Sequence, residues 1–237
     1  MTFDDDTALG PINLNQSFYF DSTSFSPLYI CSNGFVSNKY STTYTFSDLN
    51  STRNIPLIGP LLIDLKNNGD SSIYYRETSN QTILDQIKYT MLGSNFSQYS
   101  SFAPIWGFIV TWKDISIYGT TGSTYTNTFQ LVITKDSNCR SFVLFLYEKL
   151  NITDDKLSNV KAGYTLNDAI HYLSISDEVK ALFKNSSRLP LSLVYPLNSL
   201  QNCSSITSTS TSTSTVTSTS TSTTTDTSTS TIISTTD

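Results

Sequence analysis

The chain has 237 residues and a net charge of −5, from 14 Lys/Arg and 19 Asp/Glu, with one histidine and three cysteines. No Lys/Arg cluster occurs along it, and a phosphate backbone needs concentrated positive surface, so nucleic acid is excluded as a partner. No apolar run approaches the roughly 20 residues that span a bilayer, so this segment makes no direct membrane insertion.

The chain starts Met1-Thr2-Phe3-Asp4-Asp5-Asp6, acidic where an export leader is basic and then apolar. The expectation is a fragment lacking its signal peptide, cut from a longer precursor. Leu28–Cys31 and Phe35–Ser37 read as strands flanking Ser32-Asn33-Gly34, where Asn-Gly favours a type I′ hairpin turn. Leu57–Leu65 is nearly continuous apolar sequence, the pattern of a strand buried on both faces. Asn67-Asn68-Gly69-Asp70 then makes a turn, and Ser72–Thr78 returns with Ile73 and Tyr75 on one face, Tyr74 and Arg76 on the other.

Ile83, Ile87 and Met91 repeat at helical spacing, with Asn80 as N-cap and Gly93 just past the end. Strands resume at Ile105–Lys113, Thr128–Lys135, Ser141–Tyr147 and Val160–Leu166, and Asp136-Ser137-Asn138 turns between the middle two. A second short helix is expected over about 177–184, with Val179, Leu182 and Phe183 inward, and a short apolar strand beyond Pro190. These elements predict a mainly β (α+β) fold, an antiparallel β-sandwich with one or two packed helices. Val110, Trp112, Phe129, Leu131, Phe142 and Leu144 are expected to be buried on neighbouring strands.

From Ser204 onward the chain is almost only Ser and Thr, too poor in apolar side chains to offset its ordering entropy. This divides the chain into a folded domain over 1–200 and a disordered Ser/Thr-rich, mucin-like linker or stalk over 201–237. Sequons for N-glycosylation stand at Asn15, Asn50, Asn80, Asn95, Asn151, Asn185 and Asn202. Stalk and sequons together point outside the cytosol. Cys31, Cys139 and Cys203 cannot all pair within one chain. A Cys31–Cys139 bridge would stabilise by at most roughly 4–5 kcal/mol on the chain-entropy argument, with Cys203 left for a neighbouring domain or second chain. Three buried thiols are the alternative.

The strand sequences carry a resemblance. Asn33-Gly34-Phe35 is followed by Pro56-Leu57-Ile58-Gly59-Pro60, Asp64 and Ile73-Tyr74-Tyr75-Arg76-Glu77. Next come Phe102-Ala103-Pro104, Ile109-Val110-Thr111-Trp112 and Asn127-Thr128-Phe129-Gln130-Leu131-Val132. Ser141-Phe142-Val143-Leu144-Phe145-x-Tyr147 and Ala162-Gly163-Tyr164 close the series. In this order, over about 28–166, the set resembles the NIDO domain, an extracellular domain of nidogens, tectorins and some membrane-bound mucins. The resemblance implies a cell-matrix adhesion module without catalytic activity, set in a mosaic parent at the cell surface or in the matrix. It implies matrix or cell-surface proteins as partners and no cofactor.

Chemistry is sparse beside it. The single histidine, His171, lies in an ordinary strand pattern, no Gly-x-Ser-x-Gly elbow occurs, and no Cys/His spacing suits zinc. Asp64–Asp70 alternates oxygen ligands around a glycine, but Lys66 stands where a calcium loop needs an oxygen, so a hairpin turn is the reading. Asp4-Asp5-Asp6 reads as an acidic terminus. Two function classes compete with adhesion. A carbohydrate-binding module would need Tyr74, Tyr75, Trp106, Trp112 and Tyr118 exposed in a row, and large aromatics at strand spacing are more often core. A glycoside hydrolase would need two facing carboxylates, from Glu77, Glu148 or Glu178. For adhesion the candidate contact segment is the Gly/Thr/Tyr-rich connection Ile115–Thr126, with Tyr118 and Tyr125 as anchors.

Overall fold

Along most strands of this chain both the odd and the even positions are apolar, which only suits strands covered on both sides. The computed structural model describes residues 6–20, 23–43, 55–93, 99–120, 125–157, 159–165 and 191–197. In chain order its elements are β1 (Ala8–Ile12), β2 (Tyr19–Phe20), β3 (Thr23–Ser24), β4 (Leu28–Cys31), β5 (Phe35–Ser37), β6 (Leu57–Leu62), β7 (Leu65–Lys66) and β8 (Ser72–Thr78). Helix α1 (Gln81–Gly93), β9 (Pro104–Ile117), β10 (Thr126–Asp136), β11 (Ser141–Lys149), the single turn α2 (Asp154–Leu157), β12 (Lys161–Thr165) and β13 (Leu191–Leu197) follow.

The strands form a five-stranded sheet in the order β1-β4-β5-β6-β12, a six-stranded sheet in which β13-β11-β10-β9-β7 is joined by β8 on β9, and a two-stranded β2-β3 ribbon. The pairings are antiparallel. Between the sheets lies the main core, where Ile30, Val36, Ile58 and Leu61 meet Trp106, Phe108, Val110 and Trp112 of β9 and Phe129, Leu131 and Ile133 of β10. The opposite face of the six-stranded sheet carries a second cluster. There Leu84, Ile87 and Met91 of α1 cover Ile109, Val132, Phe142, Leu144, Leu146 and Val194. On β11 this splits one apolar run by parity: Val143, Phe145 and Tyr147 enter the sandwich, while Phe142, Leu144 and Leu146 face the helix. The six residues expected in the core are buried, Val110, Trp112, Phe129 and Leu131 between the sheets and Phe142 and Leu144 on the helix side.

Helix α1 starts where expected. The Asn80 carbonyl accepts from Leu84 N at 3.0 Å, and its Oδ1 accepts from Ile83 N at 3.4 Å. The β10–β11 turn is fixed by Asp136, whose Oδ1 accepts from Asn138 N and Arg140 N, both at 2.9 Å, while Oδ2 accepts from Arg140 Nε at 2.7 Å.

Several expectations are corrected. The β4–β5 hairpin is not a type I′ turn: Cys31 pairs with Phe35 across a three-residue loop, and of Asn33 and Gly34 only Gly34 has positive φ, at 80°. Asn33 is instead a fully buried tie. Its Nδ2 donates to Asp6 Oδ1 at 2.7 Å and to Thr42 O at 3.3 Å, and its Oδ1 accepts from Leu65 N at 2.8 Å. The strand expected over Leu57–Leu65 is broken into β6 and β7 around Ile63-Asp64. Tyr74 and Tyr75, on opposite faces of β8, are both exposed, because β8 is an edge strand. Cys31 is a free thiol buried against Phe35, Leu57 and Leu62, so the Cys31–Cys139 bridge is not formed. The two cysteines belong to different sheets, Cys31 ending β4 and Cys139 lying in the β10–β11 turn, where it is disulfide-bonded. The expected helix over 177–184, His171, Glu178, Cys203, Asn50, Asn95, Asn185, Asn202 and the tail 204–237 lie outside the described residues.

Candidate functional site

The connection between β9 and β10 sits at one end of the six-stranded sheet. Asp114, in the left-handed region at φ 51°, redirects β9 near its end, and the β9–β10 register shifts between Asn127 and Phe129. Thr126 Oγ1 donates to Asp114 Oδ1 at 3.4 Å, and Lys149 Nζ lies 3.5 Å from the same oxygen. Tyr118 N donates to Asp64 O at 2.8 Å, which pins the start of the connection, and Thr120 N donates to Ile117 O at 3.1 Å. Tyr118 is 54 % exposed and Tyr125 is 46 % exposed. Lys66 Nζ lies 5.9 Å from the Tyr118 ring centroid. The expected contact segment thus has both anchors in solvent on a rigid base, with 121–124 outside the described residues.

The aromatic row needed for sugar stacking is not assembled. Trp106 is 2 % exposed and Trp112 is 0 % exposed, each committed to the sandwich core. Among the five only Tyr74, Tyr75 and Tyr118 reach solvent.

Glu77 is equally committed. Its Oε2 accepts from Asn15 N at 3.0 Å and Asn15 Nδ2 at 2.8 Å, and its Oε1 accepts from Gln16 N at 3.2 Å and Trp106 Nε1 at 2.5 Å. Lys135 Nζ donates to Ser17 O at 2.8 Å and lies 5.7 Å from the Trp106 ring centroid. Burial pushes the Lys135 ammonium down from its ordinary pKa, while the Glu77 charge opposes that shift. These groups clasp the N-terminal segment onto β8 and β9. With four donors on its carboxylate Glu77 is a structural anchor, and Glu148 is exposed near the end of β11.

In Asp64–Asp70, Asn67 Oδ1 accepts from Gly69 N and Asn68 Oδ1 from Asp70 N, the side chains of a hairpin turn. Among the described residues no group of three His, Cys, Asp or Glu could hold a metal ion. Nor is any described helix long and apolar enough to cross a membrane. Two organising residues escaped sequence reasoning. Asn33 was legible only as a turn residue, and the Glu77 clasp joins positions 62 residues apart with no local signal.

The family model described as nidogen-like domain matches residues 26–190. Alpha-tectorin of Mus musculus is 32% identical over 150 residues, which is 63% of this chain and 7% of that protein. Nidogen-2 of Mus musculus is 30% identical over 151 residues, 60% of this chain and 11% of that protein. Nidogen-1 of Mus musculus is 27% identical over 140 residues, 56% of this chain and 11% of that protein. The chain thus spans a small fraction of the curated relatives it matches, and no solved structure matches it.

Proposed function

The chain belongs to the nidogen-like domain family, and on that premise we propose that it is an extracellular, non-catalytic interaction module of a larger protein, engaging matrix or cell-surface proteins. We propose further that the folded module ends near residue 200 and that 201–237 serves as its Ser/Thr-rich stalk. Adhesion between cell and matrix is the role that fits such a module best. The observation that carries this reading is the exposure of Tyr118 and Tyr125 on a braced loop, while the tryptophans are withdrawn into the core. Rigid aromatic side chains in solvent make strong contacts with a protein partner. A sugar-binding platform would have needed the tryptophans outside.

The test is Tyr118→Ser with Tyr125→Ser, both on the loop. Binding to matrix extract should fall several-fold while the thermal unfolding midpoint stays close to the parent value. Unchanged binding by the folded double variant would remove this loop as the contact. Turnover of a glycan or peptide substrate by the purified protein would overturn the non-catalytic reading.

A further inference from the structure

Of the seven sequons, those at Asn15, Asn80 and Asn151 fall on described residues, and their settings differ. We propose that Asn80 and Asn15 carry N-linked oligosaccharides in the folded protein, that Asn151 does not, and that the two glycans shield the open edge of β8. The proposal rests on the extracellular reading above, since the sugar donor is met only on export.

Asn80 is exposed, as is Thr82 two residues on. Its Oδ1 is used in capping α1, and its backbone N donates to Thr78 Oγ1 at 3.1 Å. Its amide nitrogen has no hydrogen-bond partner among the described residues, so a sugar there displaces nothing. Asn15 is exposed too, and Ser17 with it. One of its two amide hydrogens goes to Glu77, and a glycosidic bond takes the other, so the clasp survives modification. Asn151 is different. It is half-buried, with Nδ2 donating to Thr126 O at 3.0 Å and its backbone N donating to Asn127 Oδ1 at 2.8 Å. Ile152 packs on the inter-sheet core, and the Thr153 hydroxyl oxygen is buried. A branched sugar on that nitrogen competes with the packing of the β11 exit.

The transfer is balanced by its donor, a lipid-diphosphate-linked oligosaccharide. The asparagine nitrogen forms a bond to C1 of the first sugar, the bond from C1 to the diphosphate oxygen breaks, the lipid diphosphate leaves, and the amide loses one proton.

The two positions converge. Asn80 is two residues beyond the end of β8, and Asn15 is hydrogen-bonded to Glu77 on that strand. Among the described residues β8 pairs only with β9, leaving its other edge open. Ser72–Thr78 contains neither Lys nor Pro, its charged residues Arg76 and Glu77 stand toward one end, where Glu77 is engaged by Asn15, Gln16 and Trp106, and Tyr74 and Tyr75 are exposed along it. Such an edge is a template for pairing with another chain unless something bulky or charged blocks it. Two oligosaccharides at one end of a seven-residue strand provide that block.

The full chain, given a cleavable secretion signal and expressed in glycosylating cells, tests this. Peptides released enzymatically in heavy-oxygen water mark each formerly glycosylated asparagine by mass. Marks at Asn80 and Asn15, with Asn151 unmarked, are expected. An unmarked Asn80 or Asn15, or a majority of molecules marked at Asn151, overturns the assignment. Because the signal is supplied, these outcomes report on the sites and not on where the parent protein resides. Loss of partner binding in the Tyr118/Tyr125 test leaves them untouched. Thr82→Ala with Ser17→Ala removes both acceptor hydroxyls while keeping the Asn80 cap and the Asn15–Glu77 bond. This double variant, or the parent stripped enzymatically under native conditions should the variant misfold, should self-associate on concentration where the glycosylated protein stays monomeric. Equal monomer content overturns the shielding.

Discussion

The indole nitrogen of Trp112 on β9 donates to the backbone carbonyl of Cys31 on β4 at 3.0 Å, a hydrogen bond running from one sheet to the other through an apolar core. Tyr147 on β11 makes the same kind of crossing, its hydroxyl donating to Pro60 O on β6 at 2.6 Å. The Cys31 carbonyl also accepts from Gly34 N at 3.3 Å, whereas the Pro60 carbonyl lies in the fully buried run of β6. Tyr147→Phe keeps the ring and removes only the donor. It should cost roughly 1–3 kcal/mol, the range for an orphaned buried acceptor. Trp112→Phe should cost more, because it also leaves a void. Urea denaturation measures both, and a loss below about 0.5 kcal/mol for Tyr147→Phe would show the tie to be unimportant.

Phe129 stacks on Trp112 at 5.1 Å between ring centroids, whereas Phe142 meets Phe102 at 4.7 Å under the helix side of the sheet. Phe129→Ala and Phe142→Ala should each cost roughly 3–5 kcal/mol. Their local signatures differ. Phe142→Ala should raise amide exchange in α1, whose Leu84, Ile87 and Met91 share its cluster. Phe129→Ala should leave α1 protected up to global unfolding.

Gly34 has φ of 80°, and a Cβ built on it would lie 2.0 Å from Leu61 O, a backbone atom that cannot turn aside. Gly34→Ala should destabilise by well over about 1 kcal/mol. Gly69→Ala is the control, since φ there is 94° but nothing lies within 4 Å of the added carbon. It should cost only the strain, about 1 kcal/mol. Equal losses in thermal melts would mean that the Leu61 carbonyl yields.

Burial pushes the Cys31 thiol from 9.0 up to about 12 and the Tyr195 hydroxyl from 10.0 up to about 12. Tyr147 moves in the same direction for the same reason. The folded state holds these protons to higher pH than the unfolded chain does. Above about pH 9 the unfolded chain therefore binds fewer protons, and stability falls as pH rises, by up to about 1.4 kcal/mol per pH unit for each such group. The urea midpoint should decline from pH 9 upward, and less steeply in Cys31→Ala. In the native protein Cys31 should resist alkylation at pH 8 and react once urea is added. Rapid native labelling of Cys31 would contradict its burial.

The sequence displayed the parts of this fold whose signals are local. Ile83, Ile87 and Met91 announce α1 by spacing alone, and Asn80 announces its cap. The hairpin strands Leu28–Cys31 and Phe35–Ser37 are bounded by a polar, glycine-ending loop. What pattern could not assign was the face. Phe142 and Phe145 are equally apolar, and only the docking of α1 on one side of β11 decides which of them meets the helix. Cysteine count could not assign pairing either, because the hydrophobic setting of Cys31 depends on Leu57 and Leu62 arriving from a distant strand. At the candidate contact, Tyr118 and Tyr125 were legible as loop aromatics. The Asp64 carbonyl that braces Tyr118 was not, since it comes from a segment 54 residues earlier in the chain, as the two residue numbers show.

The first and last described strands, β1 and β13, are edge strands of different sheets. If, as proposed, the module is strung within a longer polypeptide, it is a link under tension. A pull on the chain entering β1 and leaving β13 begins in one layer and ends in the other. Load therefore shears the sandwich along its midplane, and the cross-sheet bonds of Trp112 and Tyr147 lie in its path. The mechanical strength of the link is then set by the seam between the sheets more than by the pairing within either one.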